Sequence, residues 1–170
     1  MSNEPVHQAK VLTVSDSVEA GNRDDVTGAA LVDRLTEVGL HVIERRVVSD
    51  DVEDITNALS YMAYGFNGLI VTTGGSGFGR RDFTPEATRR ILDRTAPGIA
   101  EAMRTVSPRG RLSRAIAGTR GSALVLNLAA APERAIQMLD AVIDVVPEVL
   151  GLLAGGFVPT VDTVEPNLDD

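Results

Sequence analysis

Apolar residues recur along this chain in two rhythms, short runs that suit strands and three-and-four spacings that suit helices. Their succession predicts an α/β fold. Residues 10–15 read as a first strand that leaves through Asp16, and the polar stretch 17–26, with Gly21 and Asn22, reads as a flexible loop. Thr27 is placed to cap a helix whose buried face carries Leu31, Leu35 and Val38, and Gly39 ends it. Residues 40–48 alternate apolar and polar, with Val42 and Val48 inward, as in a partly covered strand. Ser49-Asp50-Asp51 precedes a helix over 52–62 with Ile55, Leu59 and Met62 on its apolar face, and Tyr61 and Tyr64 read as packing residues. Gly65 and Gly68 bracket the turn into a central strand, 69–73.

The second half continues the alternation. Pro97-Gly98 interrupts the chain before a helix at 99–106, residues 109–111 form a loop, and 112–118 read as a helix of small residues. An apolar strand at 123–128 suits the middle of a parallel sheet, and Pro132 opens a last helix through Val145, continued or kinked at Pro147 toward Leu153. The pattern predicts a three-layer sandwich around a mostly parallel sheet, with one domain over 1–155 and an acidic, mobile tail over 156–170. Loops after residues 15, 48, 73 and 128 then share one sheet edge, where such folds bind ligands.

The most informative of these loops follows the central strand. Four glycines between Gly74 and Gly79 let backbone N–H groups converge on an anion, and Thr84 and Pro85 suit the cap and first position of the next helix. Arg80 and Arg81 add positive charge, whereas Asp82 puts a carboxylate where an anion would sit, a combination that points to a metal ion beside phosphates. The spacing fits neither G-x-x-x-x-G-K-[ST] nor G-x-G-x-x-G. A glycine turn that binds nothing is the simpler alternative.

Composition narrows the chemistry. The 170 residues contain no cysteine, which excludes disulfides and thiolate metal sites, and the two histidines, His7 and His41, lie far apart. No apolar run is long enough to cross a bilayer, and residues 1–8 lack a signal pattern, so the cytoplasm is the expected location. A net charge of -8 argues against nucleic acid or an anionic membrane as partner. Residues 80–120 depart from that balance, with ten Arg against four acids, a local +6 that suits a phosphate-rich small molecule.

Thr73-Gly74-Gly75-Ser76-Gly77, Arg81-Asp82 and Thr84-Pro85-Glu86-Ala87 resemble the GGTG…RDxTPEA signature of the molybdopterin adenylyltransferase family of molybdenum-cofactor biosynthesis, which includes gephyrin-like G domains. Val14-Ser15-Asp16, Asp25-Val26-Thr27-Gly28, Asp50-Asp51, Pro97-Gly98, Leu112-Ser113-Arg114-Ala115 and Asn127-Leu128 follow in the family's order, so the likeness runs to about Leu153. The resemblance implies a fold of the molybdopterin-binding-domain type, usually a homotrimer or a dimer of trimers, and adenylyl transfer from ATP to molybdopterin. It implies Asp50 and Asp82 as catalytic ligands of Mg²⁺, and Thr73, Gly74, Gly75, Ser76 and Gly77 around the nucleotide phosphates. Asp16 and Asp25 would join that nucleotide shell, and Ser113, Arg114 and Arg81 would contact substrate. A non-catalytic pterin carrier is the alternative, with an unrelated nucleotide hydrolase behind it.

The chain departs from the family at one place. Relatives read L-P-G-[SN]-P-[KR], whereas this sequence has Leu128-Ala129-Ala130-Ala131-Pro132-Glu133. A glycine, a polar side chain and a basic residue are exchanged for alanines and an acid, which leaves turnover the expectation most exposed to test.

Overall fold

The computed structural model describes residues 6–155, so the tail expected over 156–170 lies outside the described residues. Its sheet has six strands in the order β2-β1-β3-β6-β5-β4. The strands are β1 (Gln8–Val14), β2 (His41–Val48), β3 (Gly68–Thr73), β4 (Arg94–Thr95), β5 (Ala117–Arg120) and β6 (Ala123–Leu128). β2, β1, β3 and β6 are parallel, and β4 and β5 add an antiparallel edge. The helices are α1 (Asp16–Glu19), α2 (Val26–Glu37), α3 (Val52–Ala63), α4 (Thr84–Ile91), α5 (Pro97–Thr105), α6 (Pro132–Asp140) and α7 (Val146–Ala154).

Alternation along the strands divides the core between the two sheet faces, because successive side chains point to opposite sides. Val11, Leu69, Val71, Leu124 and Leu126 pack with α2, α5, α6 and α7. Leu12, Val14, Ile70, Ala123 and Val125 pack with Ile55, Leu59 and Met62 of α3 and with Ala87 and Ile91 of α4. The three layers predicted from the sequence are therefore present. β1 connects outward to β2, while the chain after β3 moves the other way to β6, β5 and β4. The direction reverses between β1 and β3, which opens a crevice at their carboxyl ends.

Several local expectations are corrected. Residues 112–118 do not form a helix: a 3-10 turn spans Pro108–Leu112 and β5 begins at Ala117. Small residues carry no period of their own, and Gly121-Ser122 between two strand-compatible runs is a hairpin signal that decides the outcome. The last helix is two helices, since Pro147, lacking an N–H, opens α7 within its first turn. Residues 16–19 form the short α1 where loop was expected. Thr27 does not cap α2; the carboxylate of Asp25 does, accepting from Gly28 N at 2.9 Å. Phe83, without a side-chain bond, takes the cap position of α4 expected for Thr84. Tyr61 and Tyr64 are 63% and 90% exposed rather than packed, with the Arg46 guanidinium 4.2 Å over the Tyr61 ring.

α6 begins after Ala131, an N-cap whose side chain supplies no hydrogen bond. Ala131→Ser adds a hydroxyl that accepts from the first-turn N–H groups and should raise stability by about 1 kcal/mol. Urea unfolding measures it; an unshifted midpoint would show that those N–H groups are already satisfied.

Candidate active site at the strand exits

β3 ends at Thr73 and the chain turns through Gly74 and Gly75, with φ of +95° and +66°. A Cβ on Gly74 would lie 2.3 Å from the Val14 carbonyl oxygen, and one on Gly75 2.4 Å from Thr84 Oγ1. These two glycines thus let the loop settle between the exit of β1 and the start of α4. The Thr84 hydroxyl donates to Gly74 O at 2.8 Å, the Thr88 hydroxyl to Thr84 O at 2.7 Å, and Asn127 Nδ2 to Thr88 Oγ1 at 2.9 Å. A buried chain of hydrogen bonds therefore runs from central strand β6 through α4 to the glycine loop.

Beyond the glycines the loop folds back on Asp82, whose Oδ2 accepts from Gly79 N at 2.7 Å. Arg114 holds this shape from below. Its backbone N–H donates to Ser76 O (2.8 Å), Nε to Gly77 O (2.6 Å) and Nη2 to Asp82 O (2.6 Å). It also pairs with Glu86. The guanidinium expected at the substrate is thus committed to the loop carrying Asp82.

The Arg114 hydrogen bond holds the Glu86 carboxyl below its ordinary range. Because the folded state favours ionised Glu86, this contribution is full above the unfolded-state value and is lost as pH falls through the depressed one. Arg114→Ala should cost about 1–3 kcal/mol, for it strands loop carbonyls as well as Glu86. The cost should shrink in acid. Thermal melts at pH 7 and pH 3 check this, and an equal cost at both would remove Glu86 from the account.

Asp16 and Asp50, from the exits of β1 and β2, bind each other's backbones: Asp16 N donates to Asp50 Oδ2 at 2.7 Å and Asp50 N to Asp16 Oδ1 at 2.9 Å. Arg81 closes the group, its Nε donating to Asp16 Oδ2 at 2.6 Å. That bond is the main reason the Asp16 carboxyl lies below its ordinary value. Asp50 goes the other way. Burial raises its pKa, and the charges of Asp16 and Asp82 push in the same direction against Arg81. Residues from three strand exits thus share one electrostatic site.

Two cavities flank the loop. The smaller, about 210 Å³, is bounded by Gly75, Ser76, Gly77, Asp82, Ser113 and the arginines 104, 109 and 134. Met103, Leu112 and Met138 give it an apolar wall. The larger, about 610 Å³, lies over the exit of β1 and is bounded by Thr73, Gly74, Asp25, Thr27 and Ala131. Of the residues expected around the phosphates, Gly75, Ser76 and Gly77 thus line the smaller space and Thr73, Gly74 and Asp25 the larger, adjoining one. Asp16, Asp50 and Arg81 line neither. Asp25 reaches the larger one with its carboxylate already engaged by Thr13 Oγ1, Gly28 N and Arg45. Ser113 Oγ accepts from Ala115 N at 3.2 Å while facing the smaller.

Among the described residues no group of three or more His, Cys, Asp or Glu is arranged to hold a metal ion. The donor set still fits Mg²⁺, which is commonly held by one or two carboxylates together with substrate phosphates. Asp82, on the wall of the smaller cavity, and Asp50, beside Asp16, would be those carboxylates. Arg104 and Arg134 were missed from sequence because helical arginines read as solvated surface; only tertiary packing turns them toward a cavity. No helix among the described residues is long and apolar enough to cross a membrane.

Fold and site together define an α/β protein with a candidate phosphate-ligand site at the switch point of a largely parallel sheet. The family model described as a probable molybdopterin binding domain matches residues 10–149, and the chain belongs to that family. It is 35% identical over 154 residues to the molybdopterin adenylyltransferase of Helicobacter pylori strain J99, covering 86% of this chain and 88% of that one. It is 38% identical over 137 residues to molybdenum cofactor biosynthesis protein B of Staphylococcus epidermidis, covering 74% and 76%. The solved structure of the molybdopterin biosynthesis enzyme MoaB of Thermus thermophilus superposes with a TM-score of 0.83 at 41% identity, covering 88% of this chain and 98% of that one.

Proposed function

We propose that this protein transfers the adenylyl group of ATP to the terminal phosphate of molybdopterin. The observation that supports the reading is an arginine-lined cavity walled by the glycine loop and Asp82, with Asp50 tied through Asp16 to Arg81, the neighbour of Asp82 in the chain. A phosphate monoester has a second pKa of about 6, so the attacking oxygen is already ionised at neutral pH and no dedicated base is needed. That oxygen forms a bond to the α-phosphorus of ATP. The bond from the α-phosphorus to the bridging oxygen breaks, and pyrophosphate leaves with the electron pair.

The protein's part is to hold two polyanions in line and offset their repulsion. Arg104, Arg109 and Arg134 supply positive charge to the smaller cavity, and Arg114 fixes the loop that presents Asp82. Met103, Leu112 and Met138 offer an apolar wall for a flat ring. Asp50 and Asp82 would hold Mg²⁺, which supplies charge neutralisation of the phosphates.

The test is pyrophosphate release from ATP and Mg²⁺ with and without molybdopterin. Release that requires molybdopterin supports the proposal; ATP consumption that ignores it points to a hydrolase. Binding of molybdopterin without release would favour the carrier reading, for which the three alanines at 129–131 speak, having no polar side chain to offer a substrate. A homotrimer, or a dimer of trimers, belongs to the same proposal and is tested by sedimentation velocity.

A further inference from the structure

Arg134 lines both cavities, and Ala130 is the other residue they share. Its side chain is half-buried and has neither an ion pair nor a hydrogen bond to any described residue. Arg81 and Arg114, the arginines that hold the strand exits and the glycine loop, each pair with a carboxylate. Arg134 also stands in the first turn of α6. The helix dipole there is already positive, so a cation is disfavoured unless an anion is near. Glu133 beside it is exposed and does not pair with it. A partly buried guanidinium that lines two open spaces and pairs with none of the carboxylates sharing them, Asp82 in the smaller and Asp24 and Asp25 in the larger, is available to a ligand's anionic group.

We infer that Arg134 binds a phosphate group of the substrate where the two cavities meet, supplying from position 134 the charge that the family pattern carries at 133. This rests on the proposed function in one respect, that the ligand is a phosphate ester. The chemistry of recognition is a planar fork of N–H donors against phosphate oxygens. ATP and molybdopterin both present such oxygens. A group at the junction would feel Arg134 whichever cavity its remaining atoms occupy. Glu133 then has an ordinary place: with the cation moved one residue along the helix, position 133 turns to solvent and tolerates an acid.

Calorimetric titration of wild type, Arg134→Ala and Arg134→Lys with ATP and Mg²⁺, and separately with molybdopterin, tests it. Arg134→Ala should weaken one or both ligands about tenfold or more, as loss of a hydrogen bond to a charged group does, while the thermal midpoint stays at the wild-type value. Arg134→Lys should recover part of the loss, keeping the charge without the fork. The ligand that weakens identifies whose phosphate lies at the junction. Wild-type affinity for both ligands in Arg134→Ala would overturn the inference, as would equal weakening in the alanine and lysine variants accompanied by a lowered midpoint. If wild type binds ATP yet transfers nothing to molybdopterin, the proposed function fails while a tenfold loss in Arg134→Ala still supports this role.

Discussion

Asp82→Asn is expected to slow adenylyl transfer at least about 100-fold, and Asp50→Asn comparably, while both proteins still unfold in one cooperative step. The new amide oxygen at position 82 can accept from Gly79 N as the carboxylate does, and the one at position 50 can accept from Asp16 N, so neither loop loses its local bond. What disappears in each is a negative charge. Asp50 sharpens the case, because its raised pKa means that the folded state holds the ionised carboxylate at a penalty. That penalty is present above the folded-state pKa and is relieved as pH falls toward the unfolded-state value. At pH 7 Asp50→Asn should therefore melt no lower than wild type, and lost turnover paired with undiminished stability is the mark of a functional acid. Pyrophosphate release and melting curves on the same preparations decide it, and near wild-type turnover in both variants would sink the assignment.

Gly74→Ala is expected to cost about 3–5 kcal/mol of stability, a large effect for one methyl group. The left-handed backbone at φ +95° is disfavoured for alanine, and the added carbon would stand 2.3 Å from the Val14 carbonyl oxygen, a backbone atom that cannot swing aside. Gly75→Val should follow the same course through Thr84 Oγ1, so damage to folding will accompany any damage to ligand binding. Urea unfolding measures both. A loss below about 1 kcal/mol in Gly74→Ala would mean that the exit of β1 yields more readily than close packing allows.

The layers and the parallel strands were legible because buried strands and amphipathic helices impose periods on the sequence, and β1, β3 and β6 are apolar enough to show them. The hairpin of β5 and β6 was hidden by small residues, whose composition suits helix and strand alike. Asp82 and the glycine loop could be read as a local motif. Arg114 was expected at the substrate, but its hold on the loop could not be read, since its partners there lie more than thirty residues away, and Arg134 reads as helix surface. Ala130 does not occupy a position that needs positive φ, for no non-glycine residue in the described chain has one. The 129–131 loop has settled into a conformation natural to alanine, with Ala129 O accepting from Thr73 and Ala130 O from Thr27.

Asn127 gives the sheet a means of rejecting misalignment. It stands opposite Thr72 in the β3–β6 ladder, its Nδ2 donating to Thr72 Oγ1 and Thr88 Oγ1 and its Oδ1 accepting from Ile116 N. Its neighbours in β6 are aliphatic and would pack nearly as well one or two places along. A slip of two residues would keep every side chain on its proper face, yet it would carry this amide away from its partners and bury it unsatisfied. The aliphatic residues make the sheet stable; the one amide among them makes its alignment unique, and with it the distance from the sheet to α4 and the loop that α4 supports.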